Sequence, residues 1–157
     1  MTAIDCSKYM DCPVVWSLTV QSAECRLTAG AAARRHALTM GFSRKRAAEI
    51  EIVVAELAGN IFKHAKTGTI ALKASADGVL LIEASDNAGM IDSRDFEDGY
   101  SRSHRLLPEE SYRQGGIGSG LGAVKRLSDA VSVVPRPLGK SVLAAFRAGA
   151  AEIQHSR

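Results

Sequence analysis

The chain has 157 residues, of which 46% are hydrophobic and 24% charged, and its net charge is +3. That length suffices for one domain with its own core, and that composition excludes a disordered tract. The small, dispersed positive excess and an aromatic content of 5% argue against nucleic acid as the partner, because such binders gather basic side chains on one face beside aromatic platforms.

The three cysteines, Cys6, Cys12 and Cys25, form no C-x-x-C pair. No histidine stands near them at zinc-ligand spacing, so reduced thiols are expected. Met1 to Asp11 has no apolar signal-peptide core, and no apolar run reaches the length of a bilayer. A cytoplasmic protein without a membrane partner is expected, folded as a single domain over 1–157 with its core at about 14–146.

Val14 to Val20 is β-branched and roughly alternating, which predicts a strand. From about Ala23 to Met40 the chain is alanine-rich, with Leu27, Ala31 and Leu38 at helical spacing, and Gly41 stops that helix. Ser43 can cap a second helix. Its apolar stripe is Ile50, Val54, Leu57 and Ile61. Glu49, Val53, Glu56, Asn60 and Lys63 form the neighbouring stripe, so Glu56 and Asn60 sit side by side at the edge of the buried face. Thr69 to Ser75 and Val79 to Ser85 read as two strands joined by an Asp77-Gly78 turn, and Asp86 ends the second. The polar stretch from Asn87 to about residue 115 has little periodicity and is read as a mobile lid. A third helix begins near Gly120 and runs to Asp129 with Leu121, Val124 and Leu127 inward. Val131 to Val134 and Ser141 to Phe146 are the last strands, turned by Pro135 to Lys140, and the tail from Ala148 is expected to fray. This order predicts an α+β fold: a two-layer sandwich with helices on one face of a mixed, mainly antiparallel sheet.

Three features of this order carry chemistry. A glutamate lining a cleft, here Glu56, can take a proton from an attacking hydroxyl or water. Asn60, one turn on, offers a neutral oxygen, and magnesium needs only one or two protein ligands when phosphates supply the rest. Asp86, at a strand end, can accept from the exocyclic amine of adenine, a group that guanine lacks at that position. The run Gly115 to Gly122 opens a helix, so its backbone N–H groups and the helix N-terminus can cradle phosphates, with Lys125 one turn inside. Two other matches fail. Gly118 to Ala123 fits the dinucleotide pattern G-x-G-x-x-A but has no strand directly before it. Gly139-Lys140-Ser141 resembles the end of a P-loop, but Val134 stands at the first glycine's place and a strand follows.

Glu56-x-x-x-Asn60, the Asp86 box and the Gly116-x-Gly118-x-Gly120-Leu121 box resemble the N, G1 and G2 boxes of the GHKL ATPases, the Bergerat fold. Within that superfamily the chain is most similar to the small anti-sigma-factor kinases and above all to the RsbT switch kinases of the stressosome. Ala55 to Phe62, Glu97 to Ser101 and Gly122 to Asp129 carry that likeness. The resemblance implies ATP and magnesium as cofactors, Glu56 as catalytic base, Asn60 as magnesium ligand and Asp86 as adenine reader. Ala88 and Gly89 would follow in the same box. Gly116, Ile117, Gly118, Ser119, Gly120, Leu121 and Gly122 would cradle the phosphates, with Lys125 nearby. It further implies a protein serine/threonine kinase acting on a STAS-domain partner, with a PPM-type phosphatase or a sigma factor as a further partner. An RsbW-like anti-sigma factor is the alternative. The box departs from Asp-x-Gly-x-Gly at Ala88 and Met90, which opens a third reading: a non-catalytic interaction module that has lost ATP.

Overall fold

Two strands are apolar on both faces, and that fixes their place at the centre of the sheet. Val79–Asp86 (β3) and Lys140–Arg147 (β5) are buried along nearly their whole length. In the computed structural model, which describes residues 3–89 and 120–149, they pair with each other. The five-stranded order is β1-β2-β3-β5-β4, with β1 at Val14–Val20, β2 at Gly68–Ala74 and β4 at Ala130–Pro135. All four pairings are antiparallel.

The helices lie on one face of this sheet, as expected. Cys25–Thr39 (α1), Arg44–Ala65 (α2) and Gly120–Leu127 (α3) close a core with Trp16, Leu18, Ile70, Leu72, Leu80, Ile82, Val142 and Phe146. Ser43 caps α2 as its sequence position implies: its Oγ accepts from the Arg46 N–H at 3.1 Å. Ala47, Ile50, Val53, Val54, Leu57, Ala58 and Ile61 form the buried side of α2. The inward side of α3 is Leu121, Ala123 and Val124, with Leu127 packed partly against the core.

The buried face of α1 differs from the expected one. Ala29, Gly30, Ala32, Ala33 and Ala37 point inward, whereas Leu27 is 66% and Leu38 40% exposed. The reason is proximity: α1 lies so close to α2 that a Cβ at Gly30 would stand 3.2 Å from Glu51. Only small residues allow that approach, so the leucines turn outward. The helix ends as Gly41 predicts. The Phe42 N–H reaches the Ala37 carbonyl at 3.0 Å and the Gly41 N–H reaches Leu38 at 3.1 Å, the paired bonds of a Schellman stop.

The opposite face has a cover that the sequence did not announce. A short 3₁₀ turn, Cys6–Tyr9, is capped by Asp5 and packs Cys6 with Val79, Leu81, Leu143 and Ala145. Tyr9 is held by Arg147, whose guanidinium donates to its hydroxyl at 3.1 Å, and the Lys73 ammonium donates to the Met10 carbonyl. This second cluster explains why β3 and β5 are apolar on both sides. Cys6, Cys12 and Cys25 are all free thiols, and burial pushes that of Cys6 up, which keeps it protonated and inert.

The tail is anchored further than expected. The Ala148 N–H bonds the Gly78 carbonyl at 3.0 Å, and its methyl is buried with the core. The lid from residue 90 on, Met90, the Glu97 to Ser101 segment, Gly115 to Ser119 and the last eight residues lie outside the described residues.

Candidate functional site

The long helix α2 carries the first half of the site. Val53 and Leu57 bury its underside, which leaves Glu56 and Asn60 half-buried at the rim, one turn apart. Burial raises the Glu56 carboxyl above its ordinary value, and the charges of Arg26 and Lys63 pull it partly back. A carboxylate with a raised pKa holds a proton more strongly once it takes one, which suits a general base. The Asn60 Nδ2 is buried and has no hydrogen-bond partner among the described residues. An orphaned amide of this kind is unfavourable unless something absent completes it. Phosphate oxygens would accept from the nitrogen, and the amide oxygen suits a hard cation. The residues present therefore fit magnesium and a phosphate chain.

The second half lies at the end of the sheet. The last residues of α2 lean on the start of β2: a Cβ at Gly68 would come within 2.7 Å of the Ile61 side chain and 2.4 Å of the Ser85 carbonyl. Gly68 pairs with Asp86 across β2 and β3, so the helix turn that bears Asn60 and the strand end that bears Asp86 are brought to one side of the domain. The Asp86 side chain is buried and caps its own turn, its Oδ1 accepting from the Ala88 N–H at 2.8 Å. The turn that Asp86-Asn87 suggests is thus realised by this carboxylate.

Asp86 also has a partner that the sequence reading missed. Lys140, the first residue of β5, donates to the same Oδ1 at 2.8 Å, and the side chains of the pair are only 6% and 7% exposed. Gly139 makes this possible. Its φ is +91°, and a Cβ there would fall 1.9 Å from the Asp86 carbonyl oxygen. Only glycine lets the β4–β5 hairpin close onto the end of β3. The available signal was a lone lysine at the head of an otherwise apolar strand, following a glycine.

Of the glycine run, Gly120, Leu121 and Gly122 are described and Gly116, Ile117, Gly118 and Ser119 are not. Gly120 starts α3 with φ +43°, and no described residue outside its own surroundings stands within 4 Å of where a Cβ would be. Leu121 and Gly122 are buried, and Lys125 is exposed on the outer side of α3. As at Gly120, no described residue outside its own surroundings stands within 4 Å of where a Cβ would be at Gly89. Among the described residues no three His, Cys, Asp or Glu side chains gather into a metal cluster.

Helices packed on one face of an antiparallel sheet, with E-x-x-x-N on the long helix and an aspartate at the strand end, form the architecture of the GHKL ATPases. Residues 18–146 match the family described as "Histidine kinase-like ATPase domain", and the chain belongs to that family. It is 35% identical over 105 residues to the serine/threonine-protein kinase RsbT of Bacillus subtilis (strain 168), a match covering 64% of this chain and 71% of RsbT. The fold is also similar to a chain in the crystal structure of the SiaB–SiaC complex from Pseudomonas aeruginosa, with a TM-score of 0.57 and 17% identity, over 89% of this chain and 95% of that one.

Proposed function

We propose that this chain is an ATP-dependent protein serine/threonine kinase of the RsbT type, whose substrate is a STAS-domain protein in a partner-switching pathway. The observation that carries this reading is the pair on α2: Glu56 with its raised carboxyl, and Asn60 with a buried amide nitrogen lacking a described partner. The 35% identity to a named kinase of this type supports it.

Magnesium-ATP, when bound, supplies the γ-phosphoryl group and the charge neutralisation that phosphoryl transfer needs. Asn60 would hold the cation, Asp86 the base, and the backbone from Gly120 onward the phosphates. Glu56 would accept the proton of the partner's serine or threonine hydroxyl as its oxygen bonds to the γ-phosphorus, while the bond from that phosphorus to the β,γ-bridging oxygen breaks and ADP leaves. No group on this chain is covalently modified, so its contribution is placement and electrostatics. The released kinase would then engage a PPM-type phosphatase.

The test is transfer of label from γ-labelled ATP to STAS-domain proteins. The wild type transfers it and Glu56→Gln does not, while both bind Mg-ATP. Undiminished transfer by Glu56→Gln would remove Glu56 from the mechanism. Ala88, where the resembled box has glycine, favours a second reading, an interaction module working without nucleotide. A melting temperature unmoved by Mg-ATP would select that reading, since a ligand bound only to the native state always raises stability.

A further inference from the structure

The row of paired residues that closes the sheet at the site ends in two buried opposite charges. Asp86 and Lys140 are in register across β3 and β5, with Nζ and Oδ1 2.8 Å apart. The Ala88 N–H adds a second bond to Oδ1. Among the described residues nothing donates to Oδ2. The Lys140 ammonium has three donors and uses one of them on a described group. A buried ion pair is stable only when its leftover hydrogen-bonding capacity is met, and here capacity is left on both members. A ligand edge bearing one donor and one acceptor would complete it.

Purine bases offer such an edge. A lone carboxylate would select adenine, because it accepts from the amine on C6 and repels the O6 that guanine carries there. An ammonium beside that carboxylate changes the balance. It can donate to O6 and it cancels the repulsion, while Oδ2 accepts from the ring N1–H of a 6-oxo purine that sits shifted relative to adenine, because its donor and acceptor stand in exchanged positions. Towards adenine the pair keeps its acceptor for the amine and offers a donor to the ring nitrogen. We infer that the Asp86–Lys140 pair reads both 6-amino and 6-oxo purines, so that guanine and inosine nucleotides bind this site alongside adenine nucleotides. Lys140 is the residue that sets this breadth. The inference rests on the nucleotide-binding reading above, and alters its base specificity rather than its chemistry.

Calorimetry of the full chain with Mg-ATP, Mg-GTP and Mg-ITP tests it. The expected affinities for the three lie within about tenfold of one another, and Lys140→Met raises the ATP-over-GTP ratio by about tenfold or more, the size of one lost base contact. A wild type that binds ATP but disfavours GTP and ITP by about a hundredfold or more overturns the inference and leaves the ATP site standing. An unchanged ratio in folded Lys140→Met also overturns it. Binding of none of the three at millimolar concentration overturns the nucleotide reading itself. Should Lys140→Met fail to fold, the wild-type ratios decide alone.

Discussion

Breaking the Asp86–Lys140 pair from one side should be far worse than removing it from both. At 2.8 Å and an effective dielectric of about 20, the two charges attract by about 6 kcal/mol. Withdrawing both from water offsets most of that gain, at several kcal/mol per ion. The pair is therefore close to neutral as a unit. Either single change leaves the other charge buried: Lys140→Met strands the carboxylate, and Asp86→Asn strands the ammonium. Each should cost about 3–5 kcal/mol. With a urea slope of about 2 kcal/mol per molar, that moves the unfolding midpoint down by roughly 2 M. The double variant Asp86→Asn/Lys140→Met carries no charge, and its Asn can still accept from the Ala88 N–H, so it should lose only about 1–2 kcal/mol. Urea denaturation of the wild type, the two singles and the double gives the coupling. Losses that add to within about 0.5 kcal/mol would show that the two charges do not depend on each other, the opposite of the expected coupling.

Three further outcomes are expected. Glu56→Gln should lower phosphoryl transfer by about 10²–10⁴-fold, and it should also stabilise the fold at neutral pH. The Glu56 carboxyl is raised above its ordinary value of 4.5 by burial, so between that value and the folded one the native state binds more protons than the unfolded chain. Stability from this group is present at low pH and falls as pH rises through that window, whereas transfer, which needs the ionised base, rises with pH. A wild-type minus Glu56→Gln stability difference that grows with pH would contradict the assigned direction. Asn60→Ala should weaken the magnesium dependence of ATP affinity by about tenfold or more, read by titrating nucleotide with and without the ion. Arg46→Ala should lower stability by about 2–3 kcal/mol in a chemical melt. The Arg46 guanidinium donates to the Leu127 carbonyl and the Asp129 carboxylate, both at 2.6 Å, and lies 4.8 Å from the Phe146 ring centre, so one side chain ties the start of α2 to the end of α3.

What the sequence made legible is what local chemistry decides. Ser43 caps α2 because a β-region serine can reach the N–H three residues on, and Gly41 ends α1 because left-handed backbone suits glycine. The Glu56–Asn60 edge followed from the 3.6-residue period alone. What stayed hidden depends on contacts between distant segments. The outward turn of Leu27 and Leu38 is set by how near α2 lies, which no property of α1 encodes. The cover of the far face by Cys6–Tyr9 could be inferred only by asking what buries Val79 and Leu81 on the side away from the helices.

The same distinction explains why the Asp86–Lys140 pair was only half visible. Asp86 stands out because it ends an apolar strand. Lys140 is 54 residues away, and in the sequence it looks like one more charge in a hairpin. Two events elsewhere bring it to Asp86: the antiparallel register that sets β5 against β3, and a glycine at 139 that lets the hairpin touch the backbone of Asp86. Replacing Gly139 would therefore act on the proposed nucleotide site although its side chain has no atoms to contact a ligand. Gly139→Ala must move either the hairpin or the end of β3, since a Cβ cannot stand 1.9 Å from a carbonyl oxygen. Either movement separates Lys140 from Asp86 and should change the ATP-to-GTP ratio in the same direction as Lys140→Met.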